Sequence, residues 1–174
     1  RQTRLELISA APAALPAPEP AHRPPAALLP LIGREAELAA LLPVLADCRL
    51  LTLLGAPGIG KSRLALALAE AACPLFADGA AFIPLADAAT HQDAPLAVLR
   101  GLGLTPQADQ TPAEAVAAYL RPRQLLLVLD NCEHLPEAGT IFTEWLAHAP
   151  QLKLLCTSRT PLDLYGEQEW PLAP

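Results

Sequence analysis

Residues 55–62 of this chain read Gly55-Ala56-Pro57-Gly58-Ile59-Gly60-Lys61-Ser62 and match the pattern G-x-x-x-x-G-K-[ST] in full. The short apolar run 49–54 stands before them and suits a strand that is buried on both faces. The run 62–72 stands after them and, being apolar on nearly every side, predicts a helix under a sheet. In a glycine-rich loop between a strand and a helix, the backbone N–H groups and the helix N-terminus form a positive site for phosphate oxygens. The sequence therefore predicts a phosphate-binding loop.

Two side chains at the end of this loop are expected to carry its chemistry. Lys61 would reach the β- and γ-phosphates of a nucleotide as a point charge, and the Ser62 hydroxyl would ligate Mg²⁺. A glycine-rich turn that matches by chance is the alternative, against which the small supply of glycine, nine residues in 174, argues. We therefore expect a nucleotide and Mg²⁺ as cofactors, bound by the loop residues Gly55, Ala56, Pro57, Gly58, Ile59, Gly60, Lys61, Ser62 and Arg63.

A second ligand for the metal is expected after the run 124–129, which is the clearest strand of the chain. Asp130 follows it directly, and a Mg²⁺ ion that bridges phosphates needs a carboxylate at the carboxyl end of a neighbouring strand. A cap on a turn or helix after a core strand is the alternative role for this aspartate. We predict that Asp130 lies on the metal side of the site.

The residue after this aspartate bears on the rate of hydrolysis. Hydrolytic members of this class of protein place Glu there, to orient or deprotonate the attacking water, whereas this chain has Asn131. A neutral amide can hold a water but cannot accept its proton, so turnover should be slow. Glu133 is the nearest carboxylate, either a substitute base or a solvated acid of the loop.

The run 152–157 predicts another strand, and it ends in Ser158-Arg159. In this layout it would lie between the strand of the phosphate loop and the strand of Asp130, so that Arg159 would face the γ-phosphate. A cation there can distinguish ATP from ADP, because only the triphosphate offers it an additional charge to pair with. The alternative is a surface arginine at the start of the next loop.

The remaining pattern alternates strands with helices. Further strands are predicted at 80–85 and 167–172, and helices at 34–46, 95–102, 112–120 and 137–148, with Pro43 as a kink or an early end of the first helix. Such alternation is typical of a parallel sheet with helices on both faces, and 174 residues suffice for one such domain. We predict an α/β fold.

The first thirty residues differ in composition from the rest. Seven prolines lie between Pro12 and Pro30, mostly with alanine between them, which favours an extended, solvated chain. We expect residues 1–30 to be a Pro/Ala-rich linker, which starts either with the end of an upstream domain or with a frayed tail, and residues 31–174 to be the nucleotide-binding domain.

Composition excludes several classes of protein. The chain is 52% apolar and 17% charged with a formal net charge of -6, and its arginines are scattered, so a direct nucleic-acid contact from this segment is not expected. An apolar run of about 18 residues free of charge, proline and glycine is absent, as is a signal-peptide pattern, so we expect no membrane contact and a cytoplasmic location.

Four motifs in order resemble one family. They are the loop 55–62 together with Leu31-Ile32-Gly33-Arg34-Glu35, Leu129-Asp130-Asn131-Cys132-Glu133-His134 and Thr157-Ser158-Arg159. The chain is similar, over 31–174, to the STAND class of signal-transduction ATPases, specifically the NB-ARC-like domains of large bacterial transcriptional regulators. The resemblance implies a P-loop NTPase fold, a five-stranded parallel sheet of order 5-1-4-3-2, adenine as the base, and Ile32, Gly33 and Arg34 beside that base.

The resemblance also implies a function. Members of that family are switches in which ADP holds a closed form and ATP permits opening and often oligomerisation, through helical and winged-helix subdomains that we do not expect within residues 31–174. We expect an ATP/ADP switch module with slow Mg²⁺-dependent hydrolysis, which is a weak ATPase at most. Its expected partners are other domains of the same polypeptide and, in a nucleotide-dependent way, further copies of the chain. A turnover ATPase or small-molecule P-loop kinase, and an interaction scaffold with structurally bound ADP, are the alternatives.

Overall fold

The computed structural model describes residues 21–26, 31–135 and 138–173. None of the helices in these ranges is long and apolar enough to cross a bilayer. The five helices of the described ranges are α1 Glu35–Asp47, α2 Lys61–Ala72, α3 Ala94–Gly101, α4 Pro112–Leu120 and α5 Ala138–His148, and the five strands are β1 Leu50–Leu54, β2 Ala80–Pro84, β3 Leu126–Asp130, β4 Lys153–Ser158 and β5 Glu167–Pro171.

The five strands form one parallel sheet in the spatial order β2-β3-β4-β1-β5. This confirms the α/β fold and, read from the other edge, the predicted order 5-1-4-3-2. Leu54 at the end of β1 pairs with Ser158 at the end of β4, and Leu129 of β3 pairs with Cys156 of β4. Because all strands point the same way, the chain segments that follow β1, β3 and β4 leave the sheet at one edge.

Helices cover both faces of the sheet, which explains why the central strands are apolar without alternation. Leu51 and Leu53 of β1 pack with α1 and α2 on one face. Leu127 and Leu129 of β3 pack with α3, α4 and α5 on the other face, where the Phe142 and Trp145 rings of α5 lie 5.7 Å apart. Every residue of β1 and β3 is buried.

Helix α1 does not end early at Pro43, which was one of the two outcomes predicted for that residue. Pro43 lies inside the helix, which runs on to Asp47. Leu41 and Leu45, on either side of the proline, are both in the core, so their burial supports the helix across it. The Lys153 ammonium also donates to the carbonyls of Leu45 and Ala46, which satisfies backbone acceptors at the helix end.

Part of the predicted linker is bound to the domain. The N–H of His22 donates to the carbonyl of Asp78 (3.1 Å), and the carbonyl of His22 accepts from the N–H of Ala80 (3.2 Å), at the start of β2. The His22 ring shares a 2.6 Å hydrogen bond with the Tyr119 hydroxyl of α4, and the Arg123 guanidinium lies 3.5 Å from the centre of the Tyr119 ring. The expectation of a solvated chain is therefore wrong at His22, while residues 1–20 and 27–30 lie outside the described part.

We predict that the pKa of the His22 side chain lies below the ordinary value for histidine. Burial, and after it the charge of Arg123, lower the pKa of His22 from 6.5, while Asp78 opposes them. The undocked chain then binds more protons than the docked one, so docking weakens as the pH falls below about 6.5 towards the lowered pKa. An NMR titration should show this pKa, and the substitution Arg123→Gln should raise it.

Arg121→Gln is the matched control, because Arg121 is exposed, lies two positions away and does not act on the His22 ring. An unchanged His22 pKa in Arg123→Gln would contradict the docked geometry.

Candidate functional site

The loop 55–60 joins β1 to α2 and takes a conformation that its glycines permit. Gly58 has φ 77° and Gly60 has φ 98°, a left-handed region that residues with a side chain enter only with strain. Gly60 is the N-cap of α2, and no side chain of the described ranges caps that end. The first N–H groups of the helix thus have no side-chain cap there, a geometry that suits an anion.

Lys61 is enclosed by this loop. Its side chain is buried, with 7% of the residue exposed, and Nζ donates to the carbonyls of Gly55 (2.8 Å) and Ala56 (3.2 Å). A buried ammonium is stable only where oxygens surround it, so the loop carbonyls hold the charge in place. The helix N-terminus and the ammonium together make this edge of the sheet electropositive. Ser62 is half-buried beside it, and Arg63 is exposed.

Asp130 is held by a residue to which the sequence analysis assigned no role. Asp130 is 6% exposed at the end of β3, and the Thr157 hydroxyl of β4 donates to its Oδ1 at 2.6 Å. The same hydroxyl oxygen accepts from the N–H of Asn131 at 2.9 Å. A carboxylate has about four acceptor positions, so this contact orients Asp130 and leaves others for a cation. The signal that could have identified Thr157 is a hydroxyl residue at the polar end of an otherwise apolar strand.

The structure brings together two predicted site residues that were not expected to touch. Nε of Arg159, which follows β4, donates to Oε1 of Glu133 at 2.9 Å. The Glu133 side chain is 10% exposed and that of Arg159 is 52% exposed. The Glu133 side chain is thus mostly shielded from solvent and has a charge partner, and Arg159 lies at the carboxyl edge of the sheet, as the predicted layout places it.

Arg34 contacts the loop directly. Its Nη2 donates to the carbonyls of Ile59 (3.0 Å) and Ala173 (2.9 Å), and its Nη1 pairs with Glu37 at 2.5 Å. The guanidinium thus joins the phosphate loop to the chain that leaves β5. Gly33 precedes it at the start of α1, and the Ile32 side chain beyond it is 80% exposed.

The donors at this edge fit a magnesium nucleotide. The hydroxyl of Ser62 and the carboxylate of Asp130 are hard oxygen ligands, which Mg²⁺ prefers, and Mg²⁺ commonly completes its shell with phosphate oxygens and water. The described residues contain no group of three or more His, Cys, Asp or Glu side chains that would form a closed metal site. A metal held by two protein ligands and a phosphate is consistent with both facts.

Cys132 stands beside the site without taking part in its chemistry. Its thiol is buried and donates to the carbonyl of Leu129 at 3.3 Å. The neighbouring Cys156 thiol, together with burial, raises the pKa of Cys132 well above its ordinary value. Since the thiolate is the reactive form, this cysteine is an inert core residue.

We predict that Thr157→Val lowers the free energy of unfolding by about 1 to 3 kcal/mol, because it leaves the buried Asp130 carboxylate and the Asn131 N–H without this partner. Urea unfolding followed by circular dichroism measures the change. Thr157→Ser, which keeps the hydroxyl, should stay closer to the wild type.

Thr52→Val is the matched control. Thr52 is equally buried in β1, and its hydroxyl has no hydrogen-bond partner among the described residues, so the same substitution there should be neutral or stabilising. A loss at Thr52 as large as that at Thr157 would contradict the special role of the Thr157 hydroxyl.

The sequence is similar to parts of longer proteins. A Mycobacterium tuberculosis protein provisionally named an HTH-type transcriptional regulator is 37% identical over 128 residues, which are 73% of this chain and 14% of that protein. An uncharacterized protein of the same bacterium is 35% identical over 148 residues, which are 84% of this chain and 38% of that protein. The chain therefore spans well under half the length of these relatives.

Two solved structures share the fold. CDC6P of Pyrobaculum aerophilum has a TM-score of 0.58 at 20% identity and covers 84% of this chain and 47% of its own. A Signal Transduction ATPase with Numerous Domains (STAND) protein of Pyrococcus horikoshii, which has a tetratricopeptide repeat sensor, has a TM-score of 0.50 at 16% identity and covers 82% of this chain and 23% of its own. At these identities the likeness concerns the fold alone.

A family model described as an AAA ATPase domain matches residues 30–157. That range contains the loop with Lys61 and Ser62, the strand that ends in Asp130, and Thr157. The sheet order and the position of the loop between β1 and α2 are those of a P-loop NTPase. The chain thus belongs to the AAA ATPase domain family.

Proposed function

We propose that the chain is the ATP/ADP-binding switch module of a multidomain signalling or transcriptional regulator, of the STAND class with an NB-ARC-like domain, and that it hydrolyses ATP slowly. The observation that carries this proposal is the enclosed Lys61 ammonium beside the uncapped start of α2, with Asp130 fixed at the end of a strand on the same edge. The switch unit is residues 31–174 with His22 docked on it, and the remainder of residues 1–30 is its tether.

Phosphate binding at this site is an exchange of oxygens around one ammonium group. Lys61 donates to two carbonyls of its own loop, and the β- and γ-phosphates would take the place of those acceptors. Ser62 and Asp130 would hold Mg²⁺, which when bound neutralises phosphate charge. Thr157 keeps the Asp130 carboxylate in the orientation that this requires.

Slow hydrolysis follows from the residues around the position of the γ-phosphate. Asn131 follows Asp130 and has only an amide, which cannot take a proton from water. Glu133 is the nearest carboxylate along the chain, and its Oε1 is bound to Arg159. That oxygen is occupied by the Arg159 donor rather than free to contact an attacking water, which favours a switch over a turnover enzyme.

The base and the partners are proposed from the resemblance and the relatives. Adenine would lie near Ile32, Gly33 and Arg34, where the exposed Ile32 side chain offers an apolar surface. Regulators are named among the longer relatives, which supports a module that acts on other domains of its own polypeptide in the cytoplasm. Copies of the chain would associate when ATP is bound. This segment would make no direct contact with nucleic acid.

We predict that Lys61→Ala weakens the binding of ATP and ADP by about 1.5 to 3 kcal/mol, which is roughly 10- to 150-fold, because the charged contact to the phosphates is lost. Isothermal titration calorimetry with and without Mg²⁺ measures the two dissociation constants.

Lys153→Gln is the control, because Lys153 is the only other lysine of the chain and donates to the end of α1 rather than to the loop. Affinities of Lys61→Ala equal to those of the wild type would remove Lys61 from the site and contradict the proposal.

Steady-state release of phosphate separates the switch from a turnover ATPase. We expect a rate below about 1 per second, the lower end of ordinary enzyme turnover, because the site has no unpaired general base next to Asp130. A rate at or above that value would identify a turnover enzyme. Co-purified ADP that excess ATP cannot displace would instead identify a scaffold.

A further inference from the structure

The ion pair between Glu133 and Arg159 links two strands at the edge of the sheet that carries the loop. Glu133 belongs to the short helical turn Cys132–His134 after β3, and Arg159 is the first residue after β4. Their contact, Nε to Oε1 at 2.9 Å, is the hydrogen-bonded form of a charge pair.

The two partners differ in how much they depend on the pair. The Glu133 side chain is 10% exposed, and its Oε2 is buried with no hydrogen-bond partner among the described residues. A buried carboxylate with one unsatisfied oxygen relies on the cation that it has. The Arg159 side chain is 52% exposed, so water can solvate its charge when it leaves the pair. Glu133 therefore needs Arg159 more than Arg159 needs Glu133.

The backbone just before Arg159 lies next to the start of the phosphate loop. The N–H of Gly55, the first loop residue, donates to the carbonyl of Ser158 at 3.3 Å, and Arg159 is the next residue. The carbonyl of Gly55 also accepts a hydrogen bond from the Lys61 ammonium. The start of the phosphate loop and the start of the segment with Arg159 are thus hydrogen-bonded neighbours.

We propose that Glu133 is a positioning residue that competes with the terminal phosphate of a nucleoside triphosphate for Arg159, and so sets the preference of the site between triphosphate and diphosphate. This inference rests on the proposed function and names the regulation of that same site. A γ-phosphate that draws Arg159 away leaves the Glu133 carboxylate buried without its cation, and this opposes triphosphate binding. A diphosphate has no γ-phosphate and leaves the Glu133–Arg159 pair intact. The pair biases the site towards the diphosphate.

The test is the substitution Glu133→Gln, which keeps the shape of the side chain and removes its charge. We expect the affinity for a non-hydrolysable ATP analogue with Mg²⁺ to rise by roughly 5- to 50-fold, while the affinity for ADP stays within about twofold. A purely structural role of Glu133 would change both affinities together. Glu133→Asp, which retains the charge, should stay nearer to the wild type.

A double-mutant cycle shows whether the effect passes through Arg159. In the Arg159→Gln background, Glu133→Gln should no longer raise the affinity for the ATP analogue. Equal changes for both nucleotides, or an effect that persists without Arg159, would overturn the inference. Binding of neither nucleotide by the wild type would instead overturn the proposed function.

A measurement on the wild type keeps the inference testable if Glu133→Gln does not fold. The Nε–H signal of Arg159 in ¹⁵N NMR, assigned through Arg159→Gln, should shift on addition of the ATP analogue and remain in place with ADP. A signal that responds equally to both would contradict the competition.

Discussion

The site depends on the parallel pairing of β1, β4 and β3, three strands buried on both faces. Leu54 opposite Ser158 and Leu129 opposite Cys156 bring the ends of these strands to one edge, so the loop, Arg159 and Asp130 meet there. The apolar side chains enforce this register, because a slip by one residue would exchange the two faces of a strand between two differently packed helix layers. The chemistry of the edge therefore rests on packing in the middle of the sheet.

Polar groups at this edge are held by the chain itself. Lys61 is surrounded by carbonyls of its own loop, Asp130 accepts from Thr157, and Glu133 accepts from Arg159. Groups that are oriented before a ligand arrives lose little entropy when it binds, which favours affinity. Some of these contacts must break when a ligand binds, and the free energy of breaking them lowers the affinity. The proposed switch, which would release one nucleotide and accept another, needs both properties.

The sequence predicted the architecture well because long apolar runs between polar residues encode buried strands, and because the phosphate loop is a local motif. The helices on both faces and the placement of Asp130 at a strand end were obtained in this way, whereas the order of the strands came from the family resemblance. Side-chain pairing was not, since Glu133 and Arg159 are 26 positions apart, His22 and Tyr119 are 97 apart, and Arg34 and Ala173 are 139 apart. Periodicity in a short window contains no information on such distant contacts. The uninterrupted course of α1 through Pro43 likewise depends on the burial of Leu41 and Leu45.

The docking of His22 has a consequence for the behaviour of the chain in solution. Of the two outermost strands, β5 has the charged and polar residues Glu167, Gln168 and Glu169, whereas β2 reads Ala-Ala-Phe-Ile-Pro. An apolar outer strand is a template for pairing with another molecule and hence for aggregation. The backbone of His22 occupies the start of that strand, at Gly79 and Ala80. Part of this edge is thus already paired within the chain, three strands away from the strand that precedes the phosphate loop.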